Sequence, residues 1–102
     1  MQLKDKVAII TGAASGFGEG IAKRFAAEGA KVIVDDINAA GGERVAEEIR
    51  RAGGAAQFVK ADVTRGAEWT ALVAAAQAKF GGLDIVVNNA GWTNRNKPYL
   101  EV

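Results

Sequence analysis

Three glycines, Gly12, Gly16 and Gly18, fall within seven positions of the stretch KVAIITGAASGFG, Lys6 to Gly18. They follow a short apolar run, Val7-Ala8-Ile9-Ile10, and precede a helical pattern. A strand, a glycine turn and a helix start in that order make a phosphate cradle. Glycine lets the backbone turn tightly and approach an anion with no Cβ in the way. The helix start adds unpaired N–H groups and the positive end of its dipole. Asp36 stands eighteen residues after Gly18, at the end of a second apolar run. A carboxylate there can accept hydrogen bonds from both hydroxyls of an adenosine ribose, and it repels a 2′-phosphate. No Lys or Arg lies between Gly12 and Gly18 or among Asp35 to Asn38. The charges therefore favour NAD over NADP. Taken alone, Asp36 reads better as a turn or helix-cap carboxylate; the glycine turn upstream tips it toward the cofactor. Its neighbour Asp35 reads as a surface carboxylate facing the other way.

Two more segments carry polar groups at the ends of apolar runs. Asp62-Val63 follows the third run, where Asp62 can accept from an adenine amino group and the Val63 N–H can donate to the ring. On local evidence Asp62 serves as well as a cap for the helix behind it. Asn88-Asn89-Ala90-Gly91 closes the fourth run. Its amides can tie neighbouring loops together by hydrogen bonds, and its glycine leaves room for a sugar.

The elements that must hold these residues follow from periodicity. Val7 to Ile10 and Lys31 to Val34 are continuous apolar runs, the pattern of strands covered on both faces. Between them Phe17, Ile21 and Phe25 recur every four residues, with Ala22 and Ala26 alongside, and give a helix ending near Gly29. A second helix runs from about Ala39 to Ala52, with Val45 and Ile49, and Ala46 and Ala52 beside them, as its buried stripe. Glu47 and Arg51, and Arg44 and Glu48, stand four apart on its outer face. Ala56 to Ala61 is a more polar strand, and Gln57 and Lys60 suit a sheet edge. Thr64 is a candidate N-cap for a third helix, whose face is Trp69, Leu72, Val73, Ala76 and Phe80. That spacing makes Trp69 and Phe80 core residues rather than stacking groups for a ligand. Leu83 to Val87 is a fourth strand, and Trp92 to Val102 reads as loop or a helix start. Strands alternating with helices imply a parallel sheet with right-handed crossovers. In such sheets ligands sit beyond the carboxyl ends of the strands, where all four polar segments fall.

The bulk composition excludes several classes. The 102 residues are 49% hydrophobic and 25% charged with a net charge of +1. That balance offers no basic face for nucleic acid and none for an acidic membrane. There is no cysteine and no histidine, so a disulfide framework and the commonest metal ligands and general base are missing. The charged start, Met1 to Lys6, is neither a signal peptide nor a membrane span, and the expected setting is the cytoplasm.

Taken together, these residues resemble the short-chain dehydrogenase/reductase family. The resemblance rests on T-G-x-x-x-G-x-G at Thr11 to Gly18, Asp36 after strand two, Asp62-Val63 after strand three and N-N-A-G at Asn88 to Gly91. It covers the chain to about Gly91, and the tail is similar to that of 3-oxoacyl-carrier-protein reductases and of sugar or polyol dehydrogenases. It implies an NAD(P)-dependent oxidoreductase moving hydride between an alcohol and a carbonyl on a small-molecule substrate. Gly12, Ser15, Gly16, Phe17 and Gly18 would line the pyrophosphate and adenosine ribose, and Asp36 and Ile37 the adenosine end. Asp62 and Val63 would hold adenine, and Asn89, Ala90 and Gly91 would border the middle of the cofactor. Thr11 would link strand one to the Asn-Asn segment. A dimer or tetramer is the implied assembly.

The family's Asn, Ser and Tyr-x-x-x-Lys proton-transfer set is not in this sequence. The single tyrosine, Tyr99, lies eight residues after Gly91, too close to the motif to be the catalytic one. Residues 1–102 are therefore expected to be the N-terminal, cofactor-binding part of one α/β domain. Its doubly wound, Rossmann-like sheet would have strand order 3-2-1-4, out of the family's 3-2-1-4-5-6-7. Alone it is expected to be inactive and to expose the apolar edge of strand four. The alternatives are a non-catalytic nucleotide-binding half-domain, or a relative of sugar-nucleotide epimerases, whose usual G-x-x-G-x-x-G the turn does not fit.

Overall fold

The computed structural model describes residues 3–14, 16–61, 66–88 and 100–101. The elements run β1 (Val7–Thr11), α1 (Gly16–Ala27), β2 (Lys31–Asp35), α2 (Ala39–Arg51), β3 (Ala55–Val59), α3 (Gly66–Phe80), β4 (Ile85–Asn88) and β5 (Leu100–Glu101). They form one sheet of order β3-β2-β1-β4-β5. The first four strands are parallel, in the expected 3-2-1-4 order.

The continuous apolar runs are explained by the two layers that cover the sheet. Successive side chains of a strand point to opposite faces. Ala8, Ile10, Val32 and Val34 point to one face and pack with Ala22 of α1 and with Val45, Ala46 and Ile49 of α2. Val7, Ile9 and Ile33 point to the other and meet Leu72 and Ala76 of α3. Trp69, Val73 and Phe80 pack around that second cluster, the core role their spacing predicts. Each fully buried Ile or Leu in these layers is worth roughly 1.5–3 kcal/mol. The first helix ends at the expected Gly29 (φ 98°). Gln57 lies in β3, the outer strand of the sheet, and Lys60 falls just past its end.

Several boundaries differ from the sequence reading; β3 is Ala55–Val59 rather than Ala56 to Ala61. β4 begins at Ile85 rather than Leu83, because Asp84 is used as a hook instead. Its carboxylate accepts from the Val7 N–H at 2.9 Å, and its own N–H donates to the Val7 carbonyl at 2.8 Å. Residues 100–101, read as loop or helix start, instead pair antiparallel with β4, Val87 opposite Leu100 and Val86 opposite Glu101. The edge of β4 expected to stand open is thus partly covered, since an extended segment satisfies its backbone groups. Thr64 and Tyr99 lie outside the described residues. Among the described residues, no helix is long and apolar enough to cross a membrane.

Candidate functional site

Strand register brings the ends of β1, β2, β3 and β4 to one rim. Thr11, the last residue of β1, is opposite Asp35 of β2 and Asn88 of β4. Asp35 is in turn opposite Val59 of β3. All four parallel strands therefore end in the same row of the sheet, and the residues that follow them emerge side by side. Gly12 and Asp36 are the first residues past that row on β1 and β2. Thr11 is fully buried, and its hydroxyl donates to the Val87 carbonyl at 3.4 Å. It joins the first strand to the fourth at Val87, one residue short of the Asn-Asn segment to which the resemblance linked it.

The glycine turn is shaped by hydrogen bonds from the end of β2. Gly12 has φ 64°, a left-handed conformation that glycine adopts without a Cβ clash. The next two N–H groups are then captured in sequence. Ala13 donates to the Asp35 carbonyl at 3.0 Å, and Ala14 donates to Asp36 Oδ2 at 2.8 Å. The other oxygen of Asp36 accepts from the Asn38 N–H at 2.8 Å. Asn38 caps α2, its side-chain oxygen accepting from the Gly41 N–H at 3.1 Å. The two readings of Asp36 are thus not exclusive. It does act as a turn carboxylate, and each oxygen retains lone-pair capacity for a further donor.

Close packing explains the glycines of α2. A Cβ on Gly41 would lie 2.7 Å from the Cβ of Ala14, so the first turn of α2 rests directly on the glycine turn. A Cβ on Gly42 would run into the ring of Phe58. Gly16 is the opposite case: a Cβ there meets nothing within 4 Å. Among the described residues, packing gives no reason for glycine at the start of α1; the open space there, at a helix start, admits a ligand phosphate. On this ground the residues fit a dinucleotide. Gly18 is buried within α1. Phe17 and Ile37 flank the turn and are 53% and 69% exposed, the exposed large hydrophobic residues of the described chain.

The base of the cradle is held by charges between α1 and α2. Glu19, in the first turn of α1, accepts from Arg44 Nη2 at 2.8 Å and from Lys23 Nζ at 2.6 Å. Glu48 accepts from Lys23 at 2.5 Å and from Arg44 Nη1 at 3.1 Å. The Arg44 guanidinium, and after it the Lys23 ammonium, hold the Glu19 carboxyl down to about 2, from its ordinary 4.5.

The two adjacent aspartates divide differently from the sequence reading. Asp35 does face away from Asp36, but it is 1% exposed rather than a surface group. Its Oδ1 accepts from the Ala61 N–H at 2.8 Å. The sheet is covered on both faces, so the outward direction for one aspartate is the inward direction for the other. Asn38 and Gly41 were also missed. The first carried a readable signal, an Asn directly before a helical stripe; the second shows itself only through packing. Of the predicted site residues, Gly12 and Asp36 meet through the N–H groups of Ala13 and Ala14; Gly16, Phe17 and Gly18 open α1, and Ile37 follows Asp36. Ser15, Asp62, Val63, Asn89, Ala90 and Gly91 lie outside the described residues.

Comparison with known proteins gives a consistent result. The family model for short chain dehydrogenase matches residues 6–102. The chain is 54% identical over 102 residues to the 4-formylbenzenesulfonate dehydrogenase of Comamonas testosteroni, covering all of this chain and 40% of that protein. It is 54% identical over 90 residues to the galactitol 2-dehydrogenase of Agrobacterium fabrum, covering 88% of this chain and 34% of that one. Among solved structures, a 7α-hydroxysteroid dehydrogenase complexed with NADH and 7-oxo glycochenodeoxycholic acid superposes with a TM-score of 0.81 at 45% identity. That match covers 83% of this chain and 33% of the other. The chain thus spans 40% or less of the length of each of these proteins.

Proposed function

The chain belongs to the short-chain dehydrogenase family, and from that premise we propose that the whole protein is an oxidoreductase moving hydride between an alcohol and a carbonyl, with residues 1–102 holding its NAD. The observation that carries this reading is the Asp36 carboxylate at the rim, fixed by the N–H groups of Ala14 and Asn38 beside a glycine turn with open space at Gly16. A carboxylate so fixed is aimed before any ligand arrives. It can accept from a ribose diol, and it meets a 2′-phosphate with like charge. That is the support for NAD over NADP.

The remaining roles follow the rim. Gly12, Ser15, Gly16, Phe17 and Gly18 would bind the pyrophosphate and the adjoining ribose through backbone N–H groups and the start of α1. Ile37 would cover the adenosine end with Asp36. Asp62 and Val63 would hold adenine, and Asn89, Ala90 and Gly91 would border the middle of the cofactor. When bound, the nicotinamide supplies the site that accepts or gives up hydride. This chain's part is to bind, orient and select the dinucleotide. Proton transfer to the substrate oxygen is assigned to the family's Asn, Ser and Tyr-x-x-x-Lys set, which residues 1–102 do not contain. The relatives are named for a formylbenzenesulfonate, galactitol and a hydroxysteroid. What their names share is an alcohol or carbonyl group, and the proposed substrate class is no narrower. A dimeric or tetrameric assembly in the cytoplasm completes the reading.

The test is Asp36→Ala in the full-length protein. The expected result is a roughly 10–100-fold loss in affinity for NAD, the size of losing hydrogen bonds to a charged group, with NADP gaining ground relative to NAD. An unchanged ratio of NAD to NADP affinity would show that Asp36 does not select the cofactor.

A further inference from the structure

Among the described residues, β3 ends the sheet on its side, and such a strand presents backbone groups that a further strand could take up. The hydrogen bonds of β2 show which residues of β3 present them. The Lys31 N–H donates to the Lys6 carbonyl, and the Asp35 carbonyl accepts from Ala13. Lys31, Ile33 and Asp35 therefore turn their backbone groups toward the chain of β1. Val32 and Val34, between them, turn toward β3, where they stand opposite Ala56 and Phe58. In a parallel ladder a residue bonds to the two that flank its partner, here Ala55, Gln57 and Val59. The backbone groups of Ala56 and Phe58 thus point out past the edge.

Both of those carbonyls are already met by side chains. Arg50 Nη1 donates to the Ala56 carbonyl at 3.0 Å, and Gln57 Nε2 donates to the Phe58 carbonyl at 3.3 Å. The two arrive from opposite layers. Arg50 lies in the last turn of α2, and its Nη2 is steadied by Glu47 at 3.0 Å. Ala56 and Phe58 pack into the cluster under α1 and α2. Gln57, between them, therefore leaves the strand on the α3 side, where it lines a shallow depression with Val59, Ala75 and Ala78.

We propose that Arg50 and Gln57 guard the β3 edge: by occupying its outward carbonyls they keep it from pairing with the same edge of a second copy. Two such edges related by a two-fold axis would present the same groups to each other. Each copy would need the Ala56 and Phe58 carbonyls as acceptors for its partner's N–H groups, and both side chains would first have to be displaced. Polar residues on an edge strand discourage pairing in a general way. Here the protection is specific, and half of it comes from a helix outside the strand. The device is independent of which cofactor the opposite rim holds.

The test is the double variant Arg50→Ala/Gln57→Ala of the full-length protein, with Arg51→Ala as its charge-matched companion. Arg51 is the next residue, pairs with the same Glu47 at 3.3 Å, and loses the same charge. Sedimentation velocity over a concentration series reads the assembly, and hydrogen exchange reads the edge. In the double variant, species larger than the natural assembly should appear at a roughly tenfold lower concentration, the size of a pair of hydrogen bonds. The amides of Ala56 and Phe58 should gain protection as those species form, because their N–H groups then donate to the second copy. Arg51→Ala should assemble as the natural sequence does. Should the alanine variant not fold, Arg50→Met/Gln57→Met keeps the apolar stems, removes the donors and is expected to behave the same way. Equal association in Arg51→Ala would assign the effect to lost charge and overturn the proposal. An unchanged assembly in the double variant overturns it as well, as does association without added protection at Ala56 and Phe58.

Discussion

The two ends of the sheet are tied in different ways. At the end where the strands begin, backbone groups mostly bond to one another. Leu3 donates to the Glu28 carbonyl, Asp5 to Gly29, Lys31 to Lys6 and Asp84 to Val7, all within 3.1 Å. Asp84 adds a side-chain hook on Val7. At the end where the strands finish, side-chain acceptors do much of the tying: Asp35 on Ala61, Asp36 on Ala14 and Asn38, and Asn38 on Gly41. Backbone-to-backbone closure consumes its own polar groups. A carboxylate or amide holds a loop open in a chosen shape and keeps spare acceptor capacity. The first end suits a structural floor, and the second suits a rim that must meet a ligand.

The contrast can be broken at three levels of force. The largest effect should come from the frame both ends share. Ile9→Ala in the central strand, whose side chain is fully buried, should cost about 2–5 kcal/mol. The loss would be read as a lower urea midpoint, with NAD affinity per folded molecule little changed. Next is the floor itself. Asp84→Ala removes the acceptor of the Val7 N–H and should cost on the order of 1 kcal/mol in denaturant titration. Dinucleotide binding should stay intact, the reverse of what is expected for Asp36→Ala. A clear loss of NAD affinity in Asp84→Ala would erase the distinction between the two ends. The smallest effect belongs to the charged clamp beneath the cradle. Glu19→Gln should cost roughly 0.5–1 kcal/mol at neutral pH. The folded-state pKa of Glu19 lies below its ordinary 4.5, at about 2. Its contribution is therefore present above pH 4.5 and is lost as pH falls toward 2. Thermal melts of the two proteins should converge over that window, and a constant gap would contradict the ion-pair origin.

Much of the fold was readable because burial on two faces leaves a plain trace. Continuous runs such as Val7-Ala8-Ile9-Ile10 are affordable only between two layers, and the stripe from Trp69 to Phe80 names the layer on the far side. The strand order followed from the resemblance, and the register puts the ends of β1, β2, β3 and β4 in one row. What escaped depended on contacts between segments distant in sequence. Nothing near Asp35 reveals that Ala61, 26 residues on, will need an acceptor. Gly41 looks like any glycine in a helix until α2 is laid on Ala14. Residues 100–101 are too few to show a period, and their pairing with β4 is decided by an available edge. Asp84 moved a strand boundary because a polar side chain substituted for a ladder bond, which hydrophobic patterning does not register.

The anchoring of Asp36 bears on how such a protein could change its cofactor. On the proposed reading one carboxylate both faces the 2′ position and fastens Ala14 and Asn38, so selectivity and loop shape would be inherited together. Exchanging it for arginine to attract a phosphate would release the glycine turn in the same step. A lineage drifting toward NADP would first need another acceptor for the Ala14 N–H, or would cross an intermediate that binds neither dinucleotide well. The proposed cofactor preference would thus be a trait protected by architecture, and a redesign would have to rebuild the fastening before it changes the charge.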